Sequence, residues 1–103
     1  MILLTKAIEK QLPALYATEK VLPENKVAVC KFFHPMSSWT WYAIEYNPTE
    51  KIFFGWVVGH EKEFGNFSLE EMQSTKVRGL GIERDRSFRP TKLSDLPEWS
   101  NRD

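Results

Sequence analysis

A chain of 103 residues, 42% apolar and 27% charged, with 14 basic and 14 acidic side chains, has the make-up of one globular domain with a single body of core. Its single cysteine excludes an internal disulfide framework, and no apolar run approaches the ~20 residues of a membrane-spanning helix. Met1-Ile2-Leu3-Leu4-Thr5-Lys6 lacks the basic stretch and long apolar segment of a secretory signal, so the cytoplasm is the expected location.

Leu3, Leu4, Ala7, Ile8 and Leu12 follow the spacing of an amphipathic helix over 3–12, which Pro13 ends or kinks, with a further turn over 14–19. Leu22-Pro23-Glu24-Asn25 reads as a connector. Three apolar runs at 26–33, 39–46 and 51–58 then read as strands, joined by turn-forming segments of hairpin length at 34–38 and 47–50. A fourth strand is expected at 63–67, after a turn at 59–61. Eleven of the fourteen aromatic residues lie between Phe32 and Phe67, which locates most of the core.

Ser68-Leu69-Glu70-Glu71 has the form of a capping box and starts a short helix over 69–74. Gly79, Gly81 and Pro90 mark an irregular stretch with one short strand near 82–85. Ser94-Asp95-Leu96-Pro97 begins a last helical turn, and 100–103 should fray. The expected class is α+β: an antiparallel meander of three to five strands with an N-terminal helix and one or two short helices packed on it. It forms a single domain over 1–103 with its core at about 3–96.

Strict alternation places Trp39, Trp41 and Ala43 on one face of the second strand, and Tyr42, Ile44 and Tyr46 on the other. Both faces of the sheet are apolar, so each needs a cover. The N-terminal helix suits one, and the helix at 69–72 or the tail at 88–96 suits the other. Any face these leave bare is a partner site or a dimer interface, with monomer and weak homodimer both open.

Charge is segregated along the chain. Residues 45–71 hold six acidic side chains and two lysines; residues 76–92 hold six basic ones beside Glu83 and Asp85. After folding this gives either a two-signed surface that orients a partner or two solvated faces. The acidic candidates for partner binding are Glu61, Glu63, Glu70 and Glu71. The basic candidates, for a partner or for nucleic acid, are Arg78, Arg84, Arg86 and Arg89; with Lys92 they suit phosphates, and Phe88 could stack on a base.

Chemistry is harder to find. His60-Glu61-Lys62-Glu63 lacks the second histidine of a helical zinc motif, and Cys30 and His34 fall on a strand and a turn, so no metal is expected. Cys30 has apolar neighbours and reads as an inert buried thiol. Gly79-Leu80-Gly81 is no phosphate cradle, so no cofactor is expected. Glu61/Glu63 and Glu70/Glu71 read as surface carboxylates rather than an acid–base pair. No enzyme is expected. Trp39 and Trp41, with Trp56 beside them, suit either interface anchors or plain core.

Lys31-Phe32-Phe33, Trp39-Thr40-Trp41-Tyr42-Ala43, Phe53-Phe54-Gly55-Trp56-Val57-Val58-Gly59, Glu61-x-Glu63, Phe64-Gly65-x-Phe67-Ser68-Leu69 and Ile82-Glu83-Arg84-Asp85 follow in this order. Together, over about 31–96, they resemble a family of small phage-, plasmid- and bacterium-borne proteins defined only as a domain of unknown function. One member of similar length is an anti-CRISPR protein acting on type II systems. The resemblance implies an inhibitor that binds a type II CRISPR effector nuclease, or its guide-RNA complex, stoichiometrically and without catalysis. Such nucleases hold nucleic acid in positively charged channels, where the acidic candidates would mimic phosphate. Alternatively Arg84, Arg86 and Arg89 would reach guide RNA or an acidic patch of the enzyme. The other reading is a nucleic-acid-binding accessory protein of a phage or plasmid.

Overall fold

Residues 2–101 are described here in a computed structural model, with the side chains of 100 and 101 left aside. The first helix, α1 (Lys6–Gln11), begins at Thr5, whose hydroxyl oxygen accepts the Ile8 N–H at 3.2 Å. It ends at Leu12, which is extended because Pro13 follows. Turns over 15–20 lead to a short 3₁₀ segment, Pro23–Asn25.

The strands are β1 (Val27–Ala28), β2 (Cys30–Phe33), β3 (Thr40–Asn47), β4 (Ile52–Val58) and β5 (Lys62–Ser68). After α2 (Leu69–Ser74) come β6 (Lys76–Val77), β7 (Leu80–Gly81), β8 (Glu83–Arg84) and β9 (Thr91–Lys92). One antiparallel sheet has the order β5-β4-β3-β2-β8. It is the expected meander with β8 added beside β2. The run at 26–33 is two strands rather than one: β1 leaves the sheet to pair with β9, while Val29 still donates its N–H to Ala43 O at 2.8 Å. The β6–β7 hairpin was not foreseen. Helix α2 begins at Ser68, whose Oγ accepts the Glu71 N–H at 3.2 Å. The fraying expected at 100–103 falls at 102–103 outside the described residues, while the backbone of 100–101 belongs to the last 3₁₀ segment, Pro97–Asn101.

A β-bulge in β3 changes the expected faces. Ala43 pairs with Gly55 but Glu45 pairs with Phe54, so Ile44 is the extra residue. Beyond it the alternation is reversed. Tyr46 therefore joins Trp41 and Ala43, contrary to the strict period-2 reading, and Glu45 turns to the side of Tyr42. Next to the bulge, a Cβ on Gly55 would lie 2.0 Å from the Tyr42 carbonyl oxygen, so only glycine fits.

Each face carries its own core. One gathers Leu3 and Leu12, Cys30 and Phe32, Tyr46 and Phe53, Leu69 and Met72. Both helices thus cover the same face. The other face gathers Tyr42, Ile44 and Trp56 under Leu93 and Leu96, with Phe88 and Trp99 packed alongside. The C-terminal tail covers this side without help from α2. Its aromatic pairs are close: Trp56 and Trp99 have centroids 5.1 Å apart, Tyr42 and Trp56 5.9 Å. Each such pair contributes about 0.5–1.5 kcal/mol beyond its buried area.

Candidate functional site

The four acidic candidates do not form one cluster. Glu61 lies in the β4–β5 turn and Glu63 near the start of β5, whereas Glu70 and Glu71 stand in the first turn of α2, past the other end of β5. A strand rises about 3.3 Å per residue, so the two pairs are separated by roughly 20 Å. All four are exposed. Glu70 and Glu71 have a local role, placing negative charge at the start of α2.

Glu61 and Glu63 belong to a different setting. Strand register places Trp41 opposite Val57 and Val57 opposite Glu63, so these three side chains form a row on one face. In the next row the six-membered ring of Trp39 fills the space over Gly59, where a Cβ would come within 2.4 Å of it. The Gly59 N–H donates to Glu61 O at 2.9 Å, which closes the turn. The two indoles stack with centroids 5.9 Å apart, and the His60 ring stands edge-on to Trp39 at 5.6 Å. Neither Trp39 nor Trp41 is fully buried, and Met36 nearby in the chain is 52% exposed. The result is a fixed aromatic ledge at a corner of the sheet with two carboxylates on its rim. Among the described residues neither rim carboxylate forms an ion pair.

The basic candidates divide as well. Arg84, Arg86 and Arg89 line one groove of about 490 Å³, together with Ile8, Val29 and Phe88. Arg78 lies outside it, on the β6–β7 turn with φ 54°, and Lys92 is on β9. Within the groove Arg84 is committed to structure: its Nη1 donates to Ile2 O at 2.5 Å and Leu3 O at 2.8 Å, holding the N-terminal segment against β8. Arg89 Nη1 reaches the carbonyls of Arg86 and Phe88 at 3.3 Å. Phe88 packs on Tyr42 at 5.8 Å and is half-buried against the second core while also lining this groove. Asp85 lies 3.9 Å from Lys31 and adds an opposing charge.

Cys30 is buried in the first core, and burial pushes its thiol up to about 12, against a smaller opposing pull from Arg84. His34 is buried too. Its Nδ1 accepts the Met36 N–H at 3.1 Å, which leaves Nε2 to donate to Leu80 O at 3.0 Å. The ring thereby ties the β2–β3 turn to the β6–β7 hairpin. Among the described residues no three His, Cys, Asp or Glu side chains converge as metal ligands.

One polar constellation escaped sequence reasoning. Glu45, only 3% exposed, accepts the N–H groups of Tyr16 at 2.8 Å and Thr18 at 3.0 Å, and the Thr18 hydroxyl also donates to it. Lys26, 8% exposed, donates from Nζ to the Thr18 carbonyl at 2.5 Å and hydroxyl at 3.3 Å. Thr18 thus stands between two buried opposite charges, and the segment at 15–20 is tied to β3. A cleft of about 430 Å³ opens beside them, walled by Leu15, Tyr16 and Phe54. The signal was a glutamate inside an apolar strand, Ala43-Ile44-Glu45-Tyr46, but the bulge that aims it inward has no sequence mark.

A family described as Protein of unknown function (DUF2958) matches residues 3–102. The chain belongs to that family. The matched span runs from Leu3, in the first core, through the tail that covers the second face, so DUF2958 takes in both cores and the ledge. No curated protein and no solved structure matches the chain. No described helix is long and apolar enough to cross a membrane.

Proposed function

We propose that this protein is an anti-CRISPR inhibitor, carried by a phage or another mobile element and acting in the bacterial cytoplasm, that binds a type II CRISPR effector nuclease stoichiometrically and without catalysis. The ordered motifs that resemble a family with an anti-CRISPR member suggest the target. The observation that carries the mode of action is the ledge: two fixed, half-buried tryptophans with Glu61 and Glu63 on their rim. Aromatic anchors in a fixed setting are typical of the few residues that dominate a protein interface. Carboxylates beside them suit the positively charged channels in which these nucleases hold nucleic acid. Glu70 and Glu71 lie too far away to share that contact. An inhibitor of this kind is consumed by its target, so residual cleavage falls linearly with added protein and reaches its floor near one equivalent. Titrating nuclease cleavage at fixed enzyme concentration tests this. Inhibition complete far below one equivalent would show turnover and overturn the non-catalytic reading.

One observation favours a second reading. Arg86 and Arg89 are exposed on the same groove, which gives a nucleic-acid-binding accessory protein a local basic footprint. That reading requires binding to DNA or RNA alone, weakening steeply with salt. Absence of such binding at low salt removes it.

A further inference from the structure

We infer that the ledge is an arginine-binding surface: it receives a guanidinium of a protein partner over Val57, between the indole of Trp41 and the carboxylate of Glu63. This deepens the reading of the ledge as the contact surface, and it concerns the chemistry of the contact whichever protein supplies the arginine.

The argument starts from register. Trp41, Val57 and Glu63 are side by side on three adjacent strands of one face. Strands lie about 4.8 Å apart, so Trp41 and Glu63 are separated by roughly 10 Å at the backbone. Val57 between them is short and only half-buried, which leaves a notch with an aromatic wall, an apolar floor and an acidic wall. A planar cation that stacks on an indole while its edge meets a carboxylate suits those three surfaces. Guanidinium does both, whereas an ammonium is a strongly hydrated point charge without a plane.

The neighbouring row supports the same occupant. Trp39 is held over Gly59, stacks on Trp41 and is braced by the edge of His60, so the aromatic wall is in place before any partner arrives. Glu61 adds a second exposed carboxylate on the same rim. The charge of the ledge opposes an acidic partner and selects a basic one. An acidic peptide or a nucleic-acid backbone would meet the two carboxylates directly.

The test uses the intact protein, labelled with ¹⁵N, and a capped peptide Gly-Arg-Gly-Arg-Gly as probe. Two controls replace its arginines by citrulline, which keeps shape without charge, or by lysine. The indole N–H signals of Trp39 and Trp41 and the amides of Val57 and Glu61 to Glu63 should move on titration, while the indole of the buried Trp56 should not. The lysine peptide should bind about threefold more weakly, and the citrulline peptide about fivefold or more. The double variant Glu61→Gln/Glu63→Gln changes only exposed side chains and should keep its fold while losing about fivefold in affinity.

Unmoved indoles of Trp39 and Trp41 at about 10 mM peptide, or equal affinity for the arginine and citrulline peptides, overturns the inference. Nuclease inhibition is measured separately on the same proteins. Peptide binding without inhibition by the wild-type chain refutes the nuclease reading and leaves this one standing. Inhibition that survives in the double variant, with peptide binding absent from the wild type, does the reverse.

Discussion

Glu45 offers the sharpest test of how the fold is held. Replacing it by alanine removes three hydrogen bonds at once, from the Tyr16 N–H, the Thr18 N–H and the Thr18 hydroxyl. Two backbone donors in a partly buried segment then lose a charged acceptor, at about 1–3 kcal/mol each. Lys26, 8% exposed, is left without its counter-charge across Thr18. Removing one member of a buried charge pair typically costs about 3–5 kcal/mol, and the two ways of counting describe overlapping losses, so about 4 kcal/mol is expected. Urea unfolding followed by tryptophan fluorescence measures it. With a slope of about 1–3 kcal/mol per molar urea, the midpoint should fall by roughly 2 M. Glu45→Gln should retain part of the loss, because its NH₂ group confronts N–H donors where an oxygen now accepts. Adding Lys26→Met to Glu45→Gln should recover stability, since neither charge then remains buried alone. A midpoint shift below about 0.5 M for Glu45→Ala, or strict additivity in the double variant, would refute the idea that Glu45 and Lys26 act as one unit through Thr18.

Other outcomes follow from single positions. Gly55→Ala should cost more than about 3 kcal/mol or prevent folding, because its Cβ meets the Tyr42 carbonyl. Gly65→Ala, with nothing within 4 Å, should change the urea midpoint by less than the equivalent of about 0.5 kcal/mol. The Cys30 thiol should resist a disulfide reagent in the native state at pH 8 and react at once in denaturant. Its ordinary value is 9.0 and the folded one about 12, so the unfolded chain releases the proton first. Stability from this group is therefore full below pH 9 and falls as pH rises from 9 to about 12; Cys30→Ala should flatten that part of the stability curve, read by urea midpoints across the range. Tyr42 and Tyr46 are raised by burial too and act in the same direction, so the decline should be reduced rather than abolished. Phe88→Ala should lower stability by about 1–3 kcal/mol through loss of a half-buried ring from the packing on Tyr42, read by the urea midpoint.

The meander and the second helix were legible because their signals are local. Turn formers flank each hairpin, and Ser68 with Glu71 marks the start of α2. The exchange of faces after Ala43 was not legible, since a bulge is set by pairing with β4 and by the close approach at Gly55. The β6–β7 hairpin turns on consecutive left-handed residues, Arg78 at φ 54° and Gly79 at φ 80°. Glycine announces that conformation and arginine does not. In the candidate site, the division of the acidic residues follows from the length of β5, which separates Glu63 from Glu70. The union of Glu63 with Trp41 needed strand register, because 21 residues of sequence lie between them.

The ledge owes its exposure to how the two faces are covered. Both helices, with Ile82 ahead of β8, gather over Phe32, Tyr46 and Phe53 on one face, while the tail lies entirely on the other. Had α2 crossed to the second face, the tail and helix would have competed for Trp56, and the first face would have lost Leu69 and Met72 from its core. The observed division closes both cores and leaves Trp39 and Trp41 at the corner beyond Val57 only partly covered. Packing alone would favour covering that corner with a further apolar side chain on the first face. Instead, the glycine at position 59 admits the Trp39 ring, and carboxylates stand where further apolar side chains would have extended the core. A residue chosen for stability would bury this edge; these leave it half open, which is why we propose it as the surface that meets a partner.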